Sequence, residues 1–238
     1  MTRRRWIADE VSGSHAALTG AHATHLVRVL RARIGQEFDI LANGVLHRAR
    51  IATIDDHRVE FDLGETIPAE AAVVQLTVLL AVFKFDRMEW AIEKVTELGV
   101  SRIIPIIVRR TDAHLAAAAV KRVERWRRLA LQAAEQSRRA VPPDVMDPIK
   151  LHEAASLTGS LRVVLSEVER QKQLKDVLAD TTASEILLAV GPEGGWTDDE
   201  LRLFQKNAWI TASLGPTILR AETAAIAAAA ITVAEFNG

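Results

Sequence analysis

The sequence predicts an α/β protein: a parallel sheet covered by helices on both faces, preceded by a smaller β-rich unit. Two observations carry this. From about residue 71 onward, short and almost wholly apolar runs alternate with longer amphipathic segments, and strands that are apolar on both sides belong to parallel sheets buried between helices. Before that point the apolar runs are brief, roughly alternating and separated by turn signals, as small strands require. At 238 residues the chain can bury a proper core without covalent staples.

In the first part, "AHATHLVRVLRAR" reads as one short helix with Leu26, Val29 and Leu30 on one face. "GQEFDIL", "GVLHRARIATI" and "HRVEFDLG" follow as strands. Asn43-Gly44 between the first two is a hairpin signal of the type I′ kind, in which both central residues take positive φ. Together these suggest a small β-barrel or sandwich. "TIPAEAA", residues 66–72, then reads as a linker, which sets the division at 1–70 and 71–238. Beyond it come a strand in "VVQLTVLLAVF", a helix in "DRMEWAIEKVTELG" closed by Gly99, and a strand in "RIIPIIV". A long helix spans about Val120 to Arg138, before the breaker "VPPDV". "LRVVLS", "EILLAV" and "WITASLG" continue the strands, with "TDDELRLFQKN" and "AETAAIAAAAITVAEF" as the later helices.

Cysteine is absent, which excludes disulfides, thiolate metal sites and cysteine nucleophiles and is compatible with the cytoplasm. The start carries Arg3, Arg4 and Arg5 but no apolar run behind them, so it is not a secretory signal. The Ala-rich stretch from Ala224 to Val233 is too short to span a bilayer, so a soluble protein without membrane attachment is expected. The net charge of −1 argues weakly against a uniformly basic nucleic-acid binder. Its distribution argues otherwise, because phosphate binding depends on local clusters. Arg3 to Arg5 are followed by Arg28, Arg31 and Arg33, and a second group runs from Lys121 to Arg139. A solvated helix face accounts for the second group equally well. The histidines show no carboxylate-paired pattern, so no metal is implied.

Chemistry concentrates in two glycine-proline stretches that each join a strand to a helix. "GPEGGWTDDE", Gly191 to Glu200, sits where open α/β sheets bind ligands, at the carboxyl end of a strand. Thr197 and Glu200 form a capping box, so the helix starts immediately after the glycines. The stretch is either a tight turn or a loop whose bare backbone approaches a ligand. Neither GxxxxGK[ST] nor GxGxxG occurs, and Asp198 and Asp199 would repel phosphate at that helix start, so a neutral or cationic ligand suits it better. "LGPTILRAETAAIA", Leu214 to Ala227, is the second stretch and carries Arg220 and Glu222 where its helix begins. Two such loops at consecutive strand ends would lie side by side and line one pocket largely with backbone.

These two stretches, with "EKVTELGV", "AAEQSRRAVP" and the opening "HLVRVLRARIGQEFDILANG", resemble the bacterial ribosomal RNA small-subunit methyltransferase E family of the SPOUT superfamily. The resemblance spans nearly the whole chain. It implies a trefoil-knotted methyltransferase domain, with the knot near residues 186–222, behind a small PUA-like RNA-binding domain. It also implies a homodimer that transfers a methyl group from S-adenosylmethionine to N3 of one uridine in 16S ribosomal RNA. The positions matching the family's cofactor loops are Val190, Gly191, Glu193, Gly194, Leu214, Gly215, Ile218 and Leu219, with Leu165 as a third wall. Phe85, Arg138 and Trp196 depart from the family pattern and bear on RNA contact more than on chemistry.

Uracil N3 gives up its hydrogen only well above neutral pH, so the reaction needs a stabilised anion, in-line positioning or a base. A guanidinium at Arg220 can hold a uracil carbonyl where negative charge grows. Glu222 is the candidate base, and capping of its helix or an ion pair with Arg220 is the alternative. Arg3, Arg4, Arg5, Arg28, Arg31 and Arg33 are the candidate phosphate contacts, with Trp6 placed either to stack on a base or to pack in the core. Methylation of ribose 2′-oxygen or of transfer RNA by the same fold, and a non-catalytic RNA-binding assembly protein, are the competing readings.

Overall fold

The computed structural model describes residues 5–68, 74–137, 139, 141–179 and 181–237. The chain forms two compact units, Met1–Ala71 with Ala134–Val141, and Ala72–Ala133 with Pro142–Gly238.

The first unit contains β1 (Arg5–Ile7), β2 (Glu10–Ser12), β3 (His15–Thr19), β4 (Glu37–Ala42), β5 (Val45–Ile54) and β6 (Arg58–Thr66) in one sheet of order β1-β4-β5-β6-β3-β2. Pairing is antiparallel except between β1 and β4. The two border strands are consecutive in the chain. At the corner between them, Ala8 donates its N–H to Leu41 and Asp9 donates to Ala17, each at 2.9 Å. The sheet therefore closes on itself as a small barrel around Leu18, Leu26, Ile40, Ile51, Val59 and Phe61. Asn43 and Gly44 take φ of 50° and 79°, the pair of positive values that a type I′ turn demands.

The segment expected as one regular helix is not one. A short α1 (Gly20–Thr24) runs into a π turn at His25–Val29, where Leu30 donates its N–H to the His25 carbonyl at 3.1 Å. The wider turn rotates the following side chains. Leu26 is fully buried, whereas Val29, expected on the same face, is 64% exposed.

The second unit contains β7 (Gln75–Ala81), α2 (Phe85–Glu97), β8 (Arg102–Ile107), α3 (Ala113–Gln136), β9 (Asp144–Val145), β10 (Ile149–Lys150) and α4 (Leu151–Ala155). It continues with β11 (Leu161–Leu165), α5 (Leu174–Ala179), β12 (Glu185–Val190), α6 (Asp198–Lys206), β13 (Ile210–Ala212) and α7 (Ala221–Asn237). All strands are parallel, in the order β10-β8-β7-β12-β11-β13, with β9 also on β8. Alternate residues of β7 serve opposite faces. Leu76, Val78 and Leu80 pack with Met88, Ile92 and Trp126 and with the alanines of α7, while Leu79 and Ala81 pack with Ala154, Phe204 and Trp209. Burial on both faces is why each strand reads as a continuous apolar run.

Two sequence expectations change here. Helix α3 begins at Ala113 rather than near Val120, because the alanine run before Val120 is strong helix former in its own right. The ends of β12 and β13 are not neighbours, since β11 lies between them. The two glycine-proline loops therefore meet across the end of a third strand.

Candidate functional site

The carboxyl ends of β11, β12 and β13 enclose a cavity of about 300 Å³. Its first wall is Leu165, Ser166 and Glu167, where the chain leaves β11. Its second is Val190, Gly191, Glu193, Gly194 and the residues up to Trp196, between β12 and α6. Its third is Leu214, Gly215, Thr217, Ile218 and Leu219, between β13 and α7. The nine residues assigned to cofactor loops from the sequence are thus brought to one cavity.

Local chemistry explains why the backbone is bare there. A side chain at Gly191 would reach within 3.0 Å of the Trp196 indole nitrogen. Gly195, at φ +70°, could carry a side chain only by colliding with the Glu167 carboxylate. Gly215 takes φ +125°, outside the range that L side chains favour. The loop after β12 ends at a capping box: Thr197 donates its N–H to Glu200 at 2.7 Å, and Glu200 also accepts the N–H of Arg109 at 2.8 Å.

The walls are tied to one another. Trp196 Nε1 donates to the Leu165 carbonyl at 2.8 Å, joining the first wall to the second. The Arg110 guanidinium donates to the carbonyls of Gly194, Gly195 (3.4 Å) and Trp196 (3.3 Å). Arg87 pairs with Glu193, and its Nε lies 3.8 Å from Glu222 Oε1.

The ionisable side chains on the cavity wall are Glu167 and Glu193, both acidic. At the start of α6 the Arg202 guanidinium beside Asp199 holds that carboxyl below its ordinary range, so the charge there persists. The cavity wall itself is apolar and backbone-rich with two carboxylates, a lining that suits a neutral or cationic ligand better than a phosphate.

Arg220 and Glu222 stand at the start of α7, and neither lines the cavity. Arg220 is exposed and makes no side-chain hydrogen bond or ion pair among the described residues. Glu222 is only 5% exposed, and its Oε2 has no partner among the described residues. No ion pair joins the two.

In the first unit Arg5 lies in β1, and Arg28 is exposed, with Asp56 3.7 Å away. Arg31, at φ 52°, and Arg33 are exposed, and Arg33 donates its N–H to the Gln36 side chain at 3.2 Å. Arg3, Arg4 and Arg138 lie outside the described residues. Trp6 is half-buried and packs against the core of this unit, its ring centroid 6.0 Å from that of His22 and 5.7 Å from that of His25. Among the described residues no group of three or more metal-ligating side chains is placed to hold an ion, and no helix is long and apolar enough to cross a membrane.

Sequence reasoning passed over Arg87, Arg110 and Glu167. All three follow the end of a parallel strand, and that position, where such sheets bind ligands, is the signal that would have found them.

Comparison with known proteins agrees with this architecture. The chain matches the RNA methyltransferase domain family over residues 69–233 and the RNA methyltransferase PUA domain over residues 18–64. A ribosomal RNA small subunit methyltransferase E from Rickettsia conorii is 32% identical, over 91% of this chain and 88% of the relative. The enzyme of the same name from Neisseria gonorrhoeae, solved bound to S-adenosyl methionine, superposes with a TM-score of 0.82 at 30% identity, over 96% of each chain. A methyltransferase from Legionella pneumophila, also solved with this cofactor, gives a TM-score of 0.84 at 25% identity, over 98% of each chain. With both domains matched and the relatives aligned along nearly their full length, the chain belongs to the ribosomal RNA small subunit methyltransferase E family, RNA methyltransferases of the SPOUT fold.

Proposed function

We propose that this chain methylates N3 of one uridine in 16S ribosomal RNA of the small subunit, with S-adenosylmethionine as methyl donor, acting as a cytoplasmic homodimer. The observation that carries the reading is the cavity of about 300 Å³ walled by three strand-end loops, with bare backbone at Gly191, Gly194 and Gly215 and carboxylates at Glu167 and Glu193. Such a lining fits the donor: its adenine is read by backbone and apolar contacts, and its sulfonium and ammonium charges favour an acidic wall. When bound, the donor supplies an electrophilic methyl carbon. N3 bonds to that carbon while the carbon–sulfur bond breaks and sulfur keeps the electron pair.

The residues of the chain position and stabilise. Leu165, Val190, Leu214 and Leu219 exclude water from the donor. Arg220, exposed and without a side-chain partner among the described residues, offers its fork to a uracil carbonyl as N3 loses its proton. Burial of Glu222 away from the cavity wall suits it to holding the start of α7 rather than to taking the N3 proton, which passes to water. Arg3, Arg4, Arg5, Arg28, Arg31 and Arg33 engage RNA phosphates. Residues 186–222 form the knot in this reading, a placement supported by β11 lying between β12 and β13. Ile218, apolar yet 83% exposed, supports cover by a second copy.

Tritiated methyl transfer from S-adenosylmethionine to small subunits from a strain lacking the protein, followed by nucleoside analysis, tests the reading. A single 3-methyluridine product is expected. Label in a ribose 2′-O-methyl nucleoside, or transfer only to transfer RNA, would replace the proposed target. Cofactor binding without any transfer to RNA would favour an assembly role.

A further inference from the structure

Arg87 occupies an unfavourable place by local rules. It sits in the first turn of α2, where the exposed N–H groups and the helix dipole favour acidic side chains. Its surroundings supply the compensation. The guanidinium donates to Glu193, which lines the cavity, and its Nε lies 3.8 Å from Glu222 Oε1, on the first turn of α7. The side chain of Glu222 is 6% exposed and its second oxygen has no partner among the described residues, and Arg87 is the cation recorded within ion-pair distance of this buried carboxyl. A guanidinium is suited to serving two carboxylates at once, because its donors point in several fixed directions.

We propose that Arg87 is a positioning residue that ties the loop after β12 to the start of α7, and so sets both cofactor affinity and the placement of Arg220. The proposal rests on the cofactor reading above. One arm, through Glu193, holds the wall that meets the donor. The other, through Glu222, holds the turn from which Arg220 projects. The other ties, Trp196 to Leu165, Arg110 to the loop carbonyls and Glu200 to the Arg109 N–H, bind that loop to other strands but do not reach α7.

The test is isothermal titration of the full chain with S-adenosylmethionine, combined with single-turnover transfer to small subunits at saturating donor. Arg87→Met is expected to weaken donor binding about tenfold and to slow saturated transfer about tenfold, with Arg87→Lys between it and the parent. Glu193→Gln should reproduce the loss of affinity but keep the saturated rate within about threefold, since the arm to Glu222 remains. Exchanging the charges in R87E/E193R should restore donor affinity but not the rate, because the buried Glu222 then faces another carboxylate. A residue that serves folding alone would lower the melting temperature without this split between affinity and rate, and Arg87→Met with both quantities within about twofold of the parent would overturn the proposal. Gly194→Val separates the two levels. If it abolishes donor binding while Arg87→Met leaves affinity and rate within about twofold of the parent, the Arg87 proposal fails and the cofactor site stands. If both leave donor binding unchanged, the cofactor site itself is misplaced.

Discussion

Arg220 and Glu222 are separated by one residue and differ in everything that matters for chemistry. The first is exposed and without a side-chain partner among the described residues; the second is 5% exposed. Arg220→Ala is therefore expected to bind S-adenosylmethionine like the parent yet to lose most methyl transfer under single-turnover conditions, a drop of about a hundredfold if one transition-state interaction is removed. An equal loss of cofactor affinity would place Arg220 in donor binding instead. The motif made both residues legible in the sequence, but not their burial, because exposure at a helix start depends on what packs over it. Glu135 shows the same dependence. Burial pushes its carboxyl above the ordinary value of 4.5, opposed by the nearby His22 and reinforced by Asp9. A carboxyl whose folded value is raised binds more protons folded than unfolded in the window above 4.5, so stability falls as pH rises through that window. Glu135→Gln removes the titration. Its stability relative to the parent should rise between weakly acidic and neutral pH, measured by urea unfolding, and a constant difference across that range would refute the assignment.

At the scale of elements, the parallel strands were legible because burial on both faces leaves an apolar run that no surface element would carry. β12 occupies the six residues "EILLAV" that the sequence marks out. The shortest pieces were not legible. β1 and β2 have three residues each, and β9 and β10 two, too few for a period-2 pattern to register. The π turn at His25–Val29 was hidden for a related reason, since Leu26, Val29 and Leu30 fit a regular helix equally well on paper. The capping box at Thr197 was legible, and its contribution can be measured. Thr197→Ala should cost about 1 kcal/mol in unfolding free energy, and it should weaken cofactor binding as well, because Glu200 also holds the backbone of Arg109. Loss of stability with donor affinity intact would show that the cap acts only on α6.

For the whole molecule, what the sequence withheld was order. Strands can be recognised one by one, but nothing in "LRVVL" states that it lies between "EILLAV" and "ITA", and the cavity exists only because it does. The charge distribution, by contrast, was readable directly from the order of residues. Reversing Arg28, Arg31 and Arg33 together should weaken binding to small-subunit RNA and flatten the dependence of log affinity on log salt, by about 0.7 for each single-strand phosphate that is no longer neutralised. An unchanged slope would move the RNA interface elsewhere. The six-stranded sheet of the first unit carries a further consequence. Its two outermost strands are one uninterrupted stretch of peptide bent at Ala8 and Asp9, where Ala8 bonds to Leu41 of β4 and Asp9 to Ala17 of β3. Unguarded margins are where foreign strands add on and aggregation begins. One corner thus holds both ends of this sheet together, and a cut or insertion between Ala8 and Asp9 would release the two margins at once, turning a closed wrapper into a seed for strand exchange.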